Sequence, residues 1–244
     1  MTLIEKIKKK LADVYAVRPL TLAFIGDSIT QGCFELYAEE PGNLNVVYDG
    51  EAVYHHQIKR ILSLLYPSLP VNVINAGISG DTAPQGLARL ERDVLSYRPD
   101  LTVVCYGLND SGKGIARLNE YADSLRDIFA RLKAAGSDVV FLTPNMIGTK
   151  VNPRITDVKI RRTAESICTA ENARSMEVYL DSARALCAEN EIPVCDCYAL
   201  WKRMEAAGVD ITSLLSNDIN HPIRELHLMF AYELVKLMLG GDPI

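Results

Sequence analysis

The sequence predicts an α/β fold, a five-stranded parallel sheet held between two layers of helices, and three observations carry that prediction. First, short apolar runs recur along the chain: "LTLAFI" (20–25), "VNVIN" (71–75), "LTVVCY" (101–106), "DVVFLT" (138–143) and "IPVCD" (192–196). Each is apolar or β-branched almost throughout, the pattern of strands covered on both faces. Second, the stretches between them repeat apolar residues at helical spacing, and strand alternating with helix implies parallel pairing in three layers. Third, no internal repeat, low-complexity tract or Pro/Gly/Ser linker breaks the series, so one domain is expected over 1–244.

In chain order, Leu3, Ile7, Leu11 and Val14 share one helical face and predict an amphipathic helix over 1–18. The first strand follows. Residues 31–58 have no clear period; they carry Glu35, Glu39, Glu40, Asp49 and Glu51 with no Lys or Arg, and read as an acidic, Tyr-bearing excursion. Ile58, Ile61, Leu62 and Leu65 form the next helical stripe, Leu87, Leu90 and Val94 another, and Leu118, Tyr121, Leu125, Ile128 and Leu132 a third, which Gly136 ends. Residues 144–191 begin as an irregular loop, "PNMIGTKVNPRITD", and continue as helix, with Lys150, Arg154, Lys159, Arg161 and Arg162 mostly unopposed. Two solvated surfaces of opposite sign, or a lid over a site, would both explain such long excursions.

A hydrophobic fraction of 48% with 23% charged residues suits a globular protein with a sizeable core. A net charge of -5 supplies no basic footprint for nucleic acid and disfavours steady attachment to anionic lipid. No run approaches the length of a membrane span, and no secretory signal opens the chain. The six cysteines therefore read as free thiols in a reducing cytoplasm. "CDC" (195–197) could suggest a metal, but no Cys/His cluster completes a ligand set, so no metal is expected and Cys105, Cys195 and Cys197 are assigned to packing.

Ligands of open parallel sheets bind beyond the carboxyl ends of the strands. There the chain places "GDSIT" (26–30) after the first strand, "AGISGDT" (76–82) after the second and "GLND" (107–110) after the third. Ser28 and Asp27 admit two readings: a helix cap, or a nucleophile displayed where the chain leaves the sheet. A serine needs a base, and of four histidines only His221, in the loop "SNDINHPI", has an acid close by, Asp218. Asp218 is expected to accept the Nδ1 proton and leave Nε2 free for the serine. Gly80 could offer an unobstructed backbone N–H and Asn109 an amide N–H to an oxyanion, with the Ser28 N–H as a third donor; a turn glycine and a helix cap are the plain alternatives.

These blocks resemble the SGNH, or GDSL-type, hydrolases, named for the Ser, Gly, Asn and His of their sequence blocks. "GDSIT" is similar to the first block, "GISGDT" to the second, "GLND" to the third and "DINH" to the fifth, an ordered series over residues 26–221. The resemblance implies a flavodoxin-like sheet and ester or thioester hydrolysis through an acyl-enzyme. It makes Ser28 the nucleophile, Asp218 and His221 its partners, and Ser28, Gly80 and Asn109 the oxyanion hole, with no metal or cofactor. A cap by Asp27 can coexist with that role. After the histidine, members often continue His-Pro-Asn and then Gly-His, whereas "HPIRELH" has Ile223 and Leu226 there. Asp27 and Tyr54 stand as substrate-binding candidates, the latter because Tyr37, Tyr48 and Tyr54 could stack on sugar rings beside an acidic excursion that repels anionic head groups. Short-acyl esters, acetylated carbohydrate included, are the expected substrates. Lysophospholipase or thioesterase activity is the alternative within the family. A flavodoxin-like binding module is the alternative outside it, though no Gly-rich phosphate loop follows the first strand.

Overall fold

The structure is a computed structural model that describes residues 3–40 and 43–240. Five parallel strands, β1 (Leu20–Gly26), β4 (Val71–Gly77), β5 (Leu101–Cys105), β6 (Asp138–Leu142) and β7 (Val194–Cys195), lie in the order β4-β1-β5-β6-β7. Between β1 and β4 the chain makes a separate antiparallel hairpin, β2 (Cys33–Glu40) with β3 (Asn43–Tyr48). Counting only the parallel strands, the order is the flavodoxin-like 2-1-3-4-5. All seven residues of β1 are buried, and they alternate between two cores. Leu20, Leu22 and Phe24 enter one with α1 (Leu3–Ala12), α3 (Tyr54–Leu65), α9 (Cys197–Ala206) and α10 (Arg224–Met238); Ala23 and Ile25 enter the other with α4 (Ala83–Asp93), α6 (Leu118–Ala134) and α8 (Ala170–Glu189). Burial on both faces is why β1 and β5 read as continuous apolar runs.

The first helix is shorter than the expected 1–18: it ends at Ala12, and Val14 is exposed. The excursion 31–58 is the larger departure, because it folds as the hairpin and the first turns of α3. Register shifts between Cys33 and Leu36 and between Ala38 and Glu40 interrupt the alternation that would have marked β2. Nor is its charge unopposed. Arg224 at the start of α10 bonds Glu35 at 2.5 and 3.1 Å and Asp49 at 2.9 Å. On the other excursion, α7 (Val158–Ile167) precedes α8, Lys150 pairs with Asp210 at 2.6 Å, and Arg154 lies 3.6 Å from Asp218. The two excursions meet: Leu36 of the hairpin packs on the cluster of Ile155, Ala164 and Ile219.

β7 ends at Cys195, and Asp196 caps α9, so Cys195 and Cys197 do not share a strand face; both thiols are buried, 3.8 Å apart.

Candidate active site

β1 delivers the chain to the rim, where Asp27 caps the one-turn helix α2 (Ser28–Gln31) through a 3.0 Å bond from the Ile29 N–H. Close approach of α2 to the sheet demands glycine in β4, since a Cβ on Gly77 would collide with the Gln31 backbone. Ser28 is thereby fixed but only 4% exposed, deeper than a hydroxyl displayed on the surface. Its Oγ lies 3.1 Å from Nε2 of His221.

The His221 Nδ1 lies 2.8 Å from the main-chain oxygen of Phe34. A carbonyl oxygen only accepts, so Nδ1 carries the proton and Nε2 offers its lone pair to the Ser28 hydroxyl. Burial holds the His221 pKa below its ordinary value, opposed in part by the Phe34 carbonyl and the charge of Glu35. The ring is therefore neutral at physiological pH, the state a general base requires. Its loop is built by the Asn217 side chain, whose Oδ1 accepts the N–H groups of Ile219, Asn220 and His221 at 3.0, 2.9 and 2.9 Å. Asn145, three residues past the end of β6, adds a 2.9 Å bond to the Asn220 carbonyl.

Asp218 is not where the Asp-x-x-His spacing predicts. Its residue has left-handed φ of 58°, and its carboxylate accepts from Asn152 Nδ2 at 2.8 Å and faces Arg154. The backbone turn aims the side chain at the 148–157 loop, and the Nδ1 proton goes to Phe34 instead.

Gly80 has φ of 78° with open space where a Cβ would stand, and its N–H makes no hydrogen bond among the described residues. The following Asp81 is clamped by buried Arg89, which also donates to the Gly26 carbonyl at 3.2 Å and contacts Tyr106 Oη at 3.1 Å; Tyr106 donates to Asp81 at 2.8 Å. This network ties the Gly80 turn to the end of β1. Asn109 Nδ2 donates to the Asp81 carbonyl at 3.0 Å and to Asp27 Oδ2 at 3.3 Å. Gly80, Asn109 and Asn220 border a cavity of about 270 Å³ whose apolar wall includes Leu108, Ile147 and Ile167.

The two substrate-binding candidates are placed otherwise. Asp27 is 1% exposed and its carboxylate is spent on Ile29 and Asn109; burial, with the nearby Asp110 and Asp81 charges adding to it, raises its pKa from 3.8 to about 7 against the lowering Ile29 bond. Tyr54 is wholly buried, bonded through its hydroxyl to Thr30 Oγ1 at 2.9 Å and stacked 6.1 Å from the His227 ring, so no sugar reaches it. A β-branched or aromatic residue at a helix start is as apt for the core as for a ligand, and here the core takes it. Sequence reading also misses Phe34, whose contribution is main-chain, and Arg224 and Asn217, whose roles depend on remote partners. For Asn217 a local signal exists, an Asn opening a polar loop.

Comparisons with known proteins accord with this architecture. The model of the GDSL-like lipase/acylhydrolase family matches residues 24–228. The chain is 32% identical over 142 residues to an acetylxylan esterase of Geobacillus stearothermophilus, covering 54% of this chain and 63% of that protein. To an arylesterase of Vibrio mimicus it is 35% identical over 80 residues, covering 33% of this chain and 40% of the relative. The chain thus spans less than two thirds of the curated relatives it matches. A crystal structure of an acetylxylan esterase from Geobacillus stearothermophilus superposes with a TM-score of 0.66 at 24% identity, over 91% of this chain and 95% of that one, a likeness of fold. With the family model spanning all four sequence blocks, the chain belongs to the GDSL-like lipase/acylhydrolase family.

Proposed function

We propose that the protein is a serine hydrolase of carboxylic esters, selective for short acyl groups, acetyl foremost, on a small-molecule or oligosaccharide alcohol. The observation that carries the reading is the 3.1 Å contact between Ser28 Oγ and an Nε2 freed by the Nδ1 bond to Phe34. In this mechanism Nε2 takes the hydroxyl proton as Oγ attacks the ester carbonyl, and the negative charge moves to the former carbonyl oxygen. The N–H groups of Ser28 and Gly80 and the amide of Asn109 receive that oxyanion; the 3.3 Å contact of Asn109 to Asp27 is the longer of its two and the one the oxyanion displaces. Collapse expels the alcohol with the proton from His221, leaving acyl-Ser28, and water activated by the same imidazole returns the acid and the free serine.

The small cavity beside Gly80 and Asn109 supports a short acyl group, as does the likeness to an acetylxylan esterase. Among the described residues no helix is long and apolar enough to cross a membrane.

A fluorophosphonate probe followed by intact mass tests the chemistry: one adduct is expected, lost in Ser28→Ala and strongly reduced in His221→Ala. A folded protein that takes no label contradicts the hydrolase reading. The acyl preference is tested with p-nitrophenyl esters. A buried methylene ordinarily favours the longer chain by about 0.8 kcal/mol, so kcat/KM higher for acetate than octanoate requires steric exclusion. A rise toward octanoate would move the assignment to lysophospholipase or thioesterase.

A further inference from the structure

We propose that Gln31 is a positioning residue of the oxyanion hole: its side-chain oxygen ties the turn that carries the Gly80 N–H to the helix that carries Ser28, and so sets the spacing of two donors that must converge on one oxygen. The inference rests on the serine-hydrolase reading above. It adds to that site a residue that neither touches the substrate nor moves a proton.

Residues 78–81 form a four-residue turn, closed by the Asp81 N–H on the Ile78 carbonyl at 3.1 Å. Gly80 is its third residue, and a φ of 78° at that place is the mark of a type II turn. The donor N–H therefore belongs to the central peptide, between Ser79 and Gly80. Packing does little to hold that peptide in place, because residues 78–80 are exposed and no atom stands within 4 Å of where a Gly80 Cβ would be. Neither the Gly80 N–H nor the Ser79 carbonyl makes a hydrogen bond among the described residues. What places the donor is thus the set of bonds on the residues that flank it.

Three of these bonds lead back to strand ends and to Asn109. The Ile78 N–H donates to the Gly26 carbonyl at 3.0 Å, Asn109 donates to the Asp81 carbonyl at 3.0 Å, and Arg89 holds the Asp81 carboxylate. The fourth leads to α2: the Ser79 N–H, next to the donor along the chain, donates to Gln31 Oε1 at 2.6 Å. A main-chain N–H only donates, so the oxygen of the side-chain amide is the atom that faces it. The Cys33 thiol, 3.8 Å away, is a second donor to the same oxygen. Among the described residues, the Gln31 contact is the one hydrogen bond between α2 and the turn.

The root of the tether is fixed as firmly as the nucleophile. Gln31 lies three residues after Ser28 on the same helical turn, its N–H donates to the Asp27 carbonyl at 2.9 Å, and its carbonyl accepts from Asn75 Nδ2 at 3.2 Å. Gly77 admits its backbone against β4, as noted above. Ser28 and Gly80 are thereby registered to each other through one short side chain. The bond lies where water can reach it, and such a bond adds little to stability, which leaves placement as its consequence. A neutral acceptor suits the place, since a carboxylate beside Asp27 and Asp81 would oppose the charge that develops on the oxyanion.

The test compares Gln31→Met, Gln31→Ala and Cys33→Ala with wild type, using p-nitrophenyl acetate as substrate and trifluoroacetone as an inhibitor that Ser28 converts to a tetrahedral oxyanion adduct. Ser28-dependent turnover by wild type is established first; its absence contradicts the hydrolase reading and is distinct from any result below. Gln31→Met keeps the length of the side chain and removes the acceptor. Deleting an oxyanion donor costs about 10²–10³-fold, and displacing one costs part of that, so both Gln31 variants are expected to lose roughly 10- to 100-fold in kcat with KM and Tm little changed. The inhibition constant for trifluoroacetone is expected to rise by the same factor as kcat/KM falls, a parallel that a merely structural role would not produce. Cys33→Ala removes the other donor to Oε1, leaves the Ser79 bond, and is expected to keep kcat within about threefold of wild type. Wild-type kcat and inhibition in both Gln31 variants overturn the proposal. So does a loss confined to KM with inhibition unchanged, which would put Gln31 on the substrate, and so does an equal loss in Cys33→Ala, which would assign the effect to the base of the hairpin.

Discussion

The two halves of the candidate site are built by different means. Ser28, Gly80 and Asn109 stand on the rim of the central sheet, each a few residues past the end of a parallel strand, and the bonds among their supports join neighbouring strand ends. His221 stands on a loop with no regular structure of its own, and its contacts reach across the chain. The Nδ1 bond joins residues 187 positions apart, the Nε2 contact 193 and the clamp of Arg224 on Glu35 189. A sheet edge places its residues by strand periodicity; the histidine half is placed by the docking of a hairpin on a terminal helix. The first arrangement is rigid by inheritance from the core, whereas the second has to be constructed, contact by contact.

Asn109→Ala is expected to have the largest effect of those that bear on the contrast. Removing one oxyanion donor costs about 10²–10³ in kcat elsewhere, roughly 3–4 kcal/mol, and KM should move little. The sheet-edge half tolerates no substitute, because the Asp27 and Asp81 partners that orient this amide are themselves buried. Near-normal kcat in Asn109→Ala would mean that Gly80 and Ser28 suffice, and that the rim is less demanding than the histidine half.

The same contrast governs what the sequence discloses. β1 and β5 are legible because burial on both faces produces unbroken apolar runs, the other strands because short apolar stretches recur at regular intervals, and Ser28, Gly80 and Asn109 are legible because strand ends have a known place in such a sheet. The hairpin is hidden by its register shifts, and its acidity, unbalanced along the chain, is met in the fold by Arg224 upon Glu35 and Asp49. His221 is found by elimination among few histidines, but its acceptor is a main-chain atom and leaves no trace in residue type. Asp218 misleads for a related reason: spacing of three from the histidine fixes proximity along the chain and not the direction of a side chain at φ 58°.

The two halves also differ in how they respond to pH. Beneath the rim, burial raises the carboxyl pKa of Asp27 to about 7 and that of Asp110 to about 6. Beneath the histidine half, burial lowers His227 to about 3, and among the described residues His227 Nε2 has no hydrogen-bond partner. A carboxyl raised in the folded state contributes stability fully below its unfolded value of 3.8, and loses it as pH rises through about 7. A histidine lowered in the folded state contributes above 6.5, and loses that as pH falls toward about 3. Asp27→Asn, which retains the capping oxygen, should therefore raise stability relative to wild type at pH 8 more than at pH 4, by an amount of the order of a few kcal/mol at most. His227→Leu should show the opposite slope, its deficit shrinking as pH falls from 7 to 4. Urea melts at the three pH values measure both; parallel wild-type and variant profiles in either case would show that the buried group does not titrate in that window.

The smallest expected effect concerns Tyr54, which divides the two readings of the excursion most directly. Its hydroxyl and Thr30 Oγ1 share a 2.9 Å bond in a fully buried setting, and its ring is packed by Phe24 at 5.7 Å and Phe230 at 6.3 Å. Tyr54→Phe keeps every ring contact and removes only the hydroxyl. Loss of one buried neutral hydrogen bond costs about 1 kcal/mol, which for a chain of this size lowers Tm by roughly 2–4 °C. Thr30 lies two residues beyond Ser28 on the same turn of helix, yet Asp27 and the Gly32 N–H hold that turn independently, so kcat and KM for acetate and for an acetylated xylo-oligosaccharide should stay within about twofold. Thermal melts and initial rates on the two substrates separate the readings. A raised KM for the oligosaccharide with an unchanged Tm is the signature of a hydroxyl that meets sugar, and would return Tyr54 to the substrate surface. A lowered Tm with both KM values preserved places it in the core that supports the rim, between Phe24 of β1 and Phe230 of α10.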